Sequence, residues 1–391
     1  MNTNNTFAYP LLALGFRAFF LLAGLSALVL ILLWNAIFKG ELVQANYFAA
    51  NGWHAHEMLL GYSVAVVAGF LLTAVKNWTG QPTVTGDKLL GLCMLWVYGR
   101  ILPFYAGLLP DILIALVDFS FLPLLAYVVS KPILRTRQYR NGVFIGILLV
   151  LAIGNALIHA QTLGILNNSA NSGIELVLAT LIVLILVMAG RIYPFFTERA
   201  ISGTLIIKKP LLEVGSVTTA VLVFTLQMVG ISGGWLAVAA VIAALVNLIR
   251  IGSWYVPRIR YVPLLWVLYV GYVWIIAGFI LTAVAAFALI PSSMALHAFT
   301  VGGIAVVTLG MMARVALGHT GRALRVSNTI ALAFVLINIA ALVRVILPIA
   351  LPANYGLFVY ASSLCWLAAF ALFVFIYLPI LTQARIDGQE G

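Results

Sequence analysis

The stretch Trp53-His54-Ala55-His56-Glu57-Met58 sets two imidazoles and a carboxylate beside the apolar run from Leu59 to Val75. Ionisable groups at the mouth of a membrane-length segment are costly to place unless they bind something. Imidazole is a ligand for haem iron and for copper. Glu57 could orient a ligating ring by accepting the proton of its other nitrogen. Residues two apart on a regular helix point about 200° apart. His54 and His56 therefore face one ion only if the first turn is irregular; otherwise one serves haem and the other a separate metal.

The elements that must position these groups follow from composition. A chain of 391 residues that is 64% hydrophobic and 8% charged cannot give a soluble globule its polar surface. The expected class is an all-α polytopic membrane protein, a single helical bundle over residues 1–391 with no soluble domain. Apolar runs of spanning length lie at about 11 to 37, 56 to 75, 88 to 109, 111 to 130, 142 to 163 and 174 to 196. Six more lie at about 211 to 231, 233 to 250, 262 to 286, 292 to 316, 327 to 348 and 356 to 382. Leu109-Pro110-Asp111 and Ser232-Gly233-Gly234 read as tight turns between long flanks.

The net charge of +11 tests this count. Sixteen of the 21 basic residues fall in or beside the loops after the second, fourth, sixth, eighth and tenth runs, from Lys76 and Lys88 to Arg314, Arg322 and Arg325. The opposite loops hold little beyond Lys39. The positive-inside rule then predicts twelve transmembrane helices with both termini cytoplasmic. The basic charge sets orientation, and no nucleic-acid partner follows from it. The segment before Pro10 lacks a charged n-region and a cleavage site, so the first run is expected to remain as a helix. Cys93 and Cys365 fall inside apolar runs and read as packing residues. No C-x-x-C-H occurs, which excludes covalent c-type haem.

On this topology His54, His56, His159 and His297 share one layer near the outer, periplasmic face. They come from three different helices, as ligands of one bundle-core site must. A lone interfacial histidine can also be a simple hydrogen-bonder; the coincidence in depth favours metal or haem. Met294, three residues before His297, is a soft ligand candidate for Cu(I). Arg100 and Asp118 lie at matching depth on a hairpin and can pair. Arg344, with no evident acidic partner, is a candidate for a haem propionate, as is Arg100 if its pairing is incomplete. Trp53, Trp78 and Trp96 could flank a porphyrin or mark the interface.

A second cluster lies at the cytoplasmic side, where Gly318-His319-Thr320-Gly321-Arg322 ends the tenth run and Gly190-Arg191 lies near the end of the sixth. It reads equally as a basic stop with a C-terminal cap and as a site. As a site, His319 with Arg191, Arg314 and Arg322 would suit a quinol headgroup, a propionate or an anion. Ala68-Gly-Phe-Leu-Leu-Thr-Ala-Val75 echoes Ala277-Gly-Phe-Ile-Leu-Thr-Ala-Val284, a faint sign of an internal repeat.

Trp53-His54-Ala55-His56-Glu57-Met58, then Gly69-Phe-Leu-Leu-Thr-Ala-Val, Asn77-Trp78-Thr79-Gly80, Gly190-Arg191 with Pro194-Phe195-Phe196-Thr197, and Gly318 to Arg322 together resemble the NnrS family across essentially the whole chain. That resemblance implies a bacterial inner-membrane protein of twelve helices with haem b and copper, acting in protection from nitrosative stress. Haem-copper oxidases and the related nitric oxide reductases use six histidines, and this chain has five. A smaller site is therefore expected, one that binds nitric oxide and could reduce it to nitrous oxide with electrons from quinol. Two other classes fit the same residues. A permease for a small solute or metal complex would be colourless; a non-catalytic haem sensor or sink would bind nitric oxide without turnover.

Overall fold

The computed structural model describes residues 9–41 and 47–389. Among the described residues the chain forms helices and turns, with no strand. The helices are α1 Gly15–Lys39, α2 Ala50–Thr79, α3 Gly86–Ile101, α4 Asp111–Arg135, α5 Val143–Thr162 and α6 Ser169–Ala200. They continue with α7 Pro210–Met228, α8 Gly234–Gly252, α9 Pro263–Ala285, α10 Ser292–His319, α11 Asn328–Ala350 and α12 Tyr355–Thr382. Eleven helices are long and apolar enough to cross a membrane. The exception is α3, which has 16 residues where the apolar run reached to 109. Pro103 has no N–H to extend the helical ladder, so the chain tightens into a 3-10 turn at Leu102–Tyr105.

The start of α2 also differs from the expected 56. The helix begins at Ala50, in a short stretch too poor in apolar residues to register as part of the span. His54 and His56 therefore stand inside the helix. From Glu57 to Ser63 the helix is of the wider π type, and α10 has the same feature at Ala298–Ala305. Each π segment begins directly after a histidine, His56 and His297. Such segments are rare and are frequent at functional sites.

Contacts divide the chain into two compact units, one of Met1–Val177, Met312–Leu324 and Phe373–Gly391, the other of Leu178–Met311 and Arg325–Leu372. In the first, α1 packs on α2, α2 on α4, and α4 on α3 and α5. In the second, α8 lies between α7 and α9, and α9 packs on the first turns of α10.

The echoed octapeptide has one local geometry in both units. Thr73 donates its hydroxyl to Gly69 O at 2.8 Å, and Thr282 donates to Gly278 O at 2.8 Å. Each glycine receives a phenylalanine ring: a Cβ on Gly69 would meet Phe20 Cδ1 at 2.9 Å, and one on Gly278 would meet Phe299 Cδ1 at 2.6 Å. The repeated sequence is thus a helix-packing device that admits a ring against bare backbone. Gly69→Ala and Gly278→Ala are each expected to cost about 1–3 kcal/mol by overpacking. Gly91→Ala, where a Cβ would meet nothing within 4 Å, should leave the thermal midpoint in detergent unchanged or raised.

Candidate metal centre

Four helices of the first unit bring charged groups to one buried point. α2 supplies His56 and Glu57, α3 supplies Arg100 from its last turn, α4 supplies Asp118, and α5 supplies Asn155 and His159. His56, Glu57, Asp118, Asn155 and His159 are all at most 5% exposed. His56 and Glu57, consecutive residues of α2, address the same cluster where the π segment begins. Glycines make the room: a Cβ on Gly61 would press on Glu57 and Arg100, and one on Gly99 would lie 2.8 Å from Asp118 Oδ1.

Asp118 is the hub. Its Oδ2 accepts from His159 Nε2 at 2.8 Å and from Asn155 Nδ2 at 2.9 Å, and lies 3.1 Å from His56 Nε2. Its Oδ1 pairs with Arg100 Nη2, while Arg100 Nε faces Glu57 Oε2 at 3.1 Å. Arg100 thereby straddles both carboxylates, which removes it as a propionate ligand. His56 Nδ1 meets Glu57 Oε1 at 3.0 Å. With both ring nitrogens against carboxylate oxygens, His56 donates twice and carries a proton on each. The cluster then sums to zero, with two carboxylates against Arg100 and an imidazolium. His159 Nδ1 lies 3.2 Å from the Tyr47 hydroxyl. Burial pushes the Tyr47 phenol up from its ordinary value, so this hydroxyl stays protonated.

One ring nitrogen each of His56 and His159 and one Asp118 oxygen lie within 4.8 Å of one another, a spacing that one metal ion can bridge. The opposite nitrogen of each imidazole is already held, by Glu57 and by Tyr47, as ligating histidines require. The Phe48 ring lies beside both imidazoles, 4.3 Å from that of His56 and 5.6 Å from that of His159.

His54 stacks on Trp34 of α1 at 4.1 Å. His297 and Met294 belong to the second unit. His297 Nδ1 is 2.7 Å from Ser293 O, which makes Nδ1 the donor. Met294 is 2% exposed. Ser292–His297 packs on α11, where Arg344 donates to the Tyr355 hydroxyl at 2.8 Å. Arg344 Nη1 is buried with no hydrogen-bond partner among the described residues. Trp53 is fully buried, Trp78 stacks on Phe144, and the Trp96 indole donates to Gly61 O at 3.2 Å.

At the end of α10 the C-terminal segment forms a cap. Arg385 donates to His319 O at 3.0 Å, and Gly321, at φ +74°, lies under the Asp387 carboxylate. Arg17 donates to Leu381 O and Gln383 O at 2.9 and 2.7 Å, closing α12. A hydrogen bond from Arg385 holds Asp387 down at about 2. His319 Nε2 is 3.5 Å from Asn77 Nδ2, and Arg314 is 5% exposed. Arg314, His319 and Arg322 share the first unit, and Arg191 belongs to the second.

The sequence marks Asp118 as a partner for Arg100 and, in a transporter, as the main candidate for proton coupling; it assigns no role to Asn155 or Tyr47. The spacing of Asn155 and His159 on one face of α5 was the available signal. Arg100→Gln would leave two buried carboxylates with one imidazolium, and is expected to destabilise the chain by about 3–5 kcal/mol. Arg100→Lys should recover part of this, since an ammonium keeps the charge but not the fork that reaches both acids. Unfolding of the detergent-solubilised protein measures both.

No curated protein matches the chain. A family model, described as NnrS protein, matches residues 10–385, and the chain belongs to that family.

Proposed function

We propose that this protein is a haem- and copper-binding protein of a bacterial inner membrane that binds nitric oxide and reduces it to nitrous oxide with electrons drawn from quinol. Family membership supports a role in the response to nitric oxide. The observation that carries the metal reading is the buried convergence of His56, His159 and Asp118.

Copper is assigned to that triad on charge as well as ligand type. Imidazole and carboxylate also hold ferrous iron and zinc, but a divalent ion added to neutral imidazoles would leave the cluster with net positive charge. Cu(I) replaces the second proton of His56 one for one and keeps a buried cluster neutral, the condition least costly inside a membrane. Asp118 and the two imidazoles would hold the ion, Glu57 and Tyr47 would orient the rings, and Arg100 would keep the acids fixed.

Haem is assigned to His297, whose Nδ1 is held by Ser293 O, the kind of bond that orients a ligating imidazole. Arg344 Nη1, an orphaned buried donor, suits a propionate. When bound, haem supplies an iron position for nitric oxide and copper supplies a one-electron centre. Two molecules of nitric oxide, two electrons and two protons then give nitrous oxide and water.

The topology proposed with this function keeps twelve crossings and cytoplasmic termini. α3 with its 3-10 turn covers Gly86–Tyr105, about 30 Å of helix, which matches the hydrocarbon thickness.

Metal analysis and optical spectra of purified variants test the assignment. His56→Ala and His159→Ala are expected to lose copper and keep haem, and His297→Ala to lose haem and keep copper. His54→Ala should keep both. Wild type that binds zinc alone and shows no Soret band, when expressed with ample haem and copper, would sink the reading and favour a permease.

A further inference from the structure

The second unit has a buried polar centre that the metal chemistry leaves unused. Arg250, 1% exposed near the end of α8, donates Nη1 to Ser216 Oγ at 2.8 Å and to the Tyr272 hydroxyl at 2.9 Å. Its Nη2 donates to Leu186 O at 3.1 Å and to Glu213 Oε2 at 2.5 Å. The guanidinium lies 4.7 Å from the centre of the Trp254 ring. Gly190 makes this approach feasible, because a Cβ there would strike both the Glu213 carboxylate and the Arg250 guanidinium.

Three polar atoms around this guanidinium are buried and have no hydrogen-bond partner among the described residues: Arg250 Nε, Trp254 Nε1 and Glu213 Oε1. Unmade bonds of this kind are rare in native proteins and ask for an occupant. The set consists of two N–H donors and one carboxylate acceptor. An aromatic hydroxyl is its complement, since its oxygen accepts from the N–H groups and its proton goes to Glu213. A buried water makes about three hydrogen bonds and would satisfy the same three atoms; the aromatic, lipid-facing surroundings favour a hydroxyl carried on a ring. A carboxylate would face the charge of Glu213 with no proton to share.

The surroundings fit a ring dissolved in lipid. Trp254 sits among tyrosines, with the rings of Tyr193 and Tyr272 at 6.2 and 6.1 Å. α7 is the span least covered by protein, 22% buried. Glu213 lies in its first turn with 26% of the side chain exposed. By turning outward, this residue would open the centre at the depth of the membrane surface. The geometry points to a headgroup site for a lipid-soluble quinol at Glu213, Arg250 and Trp254. The role of the bound quinol as electron source rests on the function proposed above; its binding does not.

Anaerobic equilibrium dialysis of the full chain in detergent, with decylubiquinol and decylubiquinone as probes, tests this site. Wild type is expected to bind the quinol saturably and about fivefold or more tighter than the quinone, because only the quinol donates to Glu213. Trp254→Phe keeps a ring but removes the N–H, and should weaken quinol binding about tenfold. Glu213→Gln should abolish the preference for quinol. No saturable binding by wild type, or unchanged affinity in Trp254→Phe, overturns the proposal. Copper measured on the same samples separates the two readings. Protein that holds copper without quinol refutes the headgroup site alone; protein that binds quinol without copper refutes the metal centre alone.

Discussion

The organising constraint of the first unit is the guanidinium of Arg100, held between Glu57 and Asp118 in an interior made for hydrocarbon. Two ionised acids cannot share such a place without compensation. Arg100 neutralises one charge, and an imidazolium or a metal ion must neutralise the other. Every neighbouring feature serves that balance. Asn155 fills the remaining acceptor capacity of Asp118, Tyr47 fixes His159, and Gly61 and Gly99 let three helices close around groups that would otherwise be held apart.

Irregular backbone is the means by which a helix bundle reaches this arrangement. Consecutive residues of an α-helix point about 100° apart, and His56 and Glu57 address one cluster where the π segment begins. The same device follows His297 in α10. Both spans remain continuous, which matters because a true break would leave backbone groups unsatisfied within the bilayer thickness.

Hydropathy made the helices legible, because a hydrocarbon solvent forbids unpaired polar groups along a span. Helix ends were less so: α2 starts at Ala50 in residues too polar to register, and Pro103 shortens α3. The ion pair of Arg100 with Asp118 could be read from depth alone. The convergence of Asp118 with two histidines could not, since depth fixes height along a helix and says nothing of the direction a side chain takes around it. For the same reason depth did not distinguish His54, stacked on Trp34, from His56 and His159, which meet at Asp118. The close approach that Gly190 allows to Glu213 and Arg250 is invisible in composition.

The two buried arginines differ in a way that bears on what each can accept. Around Arg100, the atoms short of a regular hydrogen bond, Arg100 Nε and Glu57 Oε2, face each other at 3.1 Å and form an ion pair. That cluster is closed, so a ligand enters only by exchange, an ion in place of a proton at equal charge. Around Arg250 the orphaned donors and acceptor belong to three separate side chains and do not satisfy one another. A ligand there completes the set. Exchange selects for charge and coordination chemistry, and completion selects for hydrogen-bond count. A membrane bundle can therefore carry a metal centre and a site for a neutral, lipid-soluble molecule without either set of side chains serving the other.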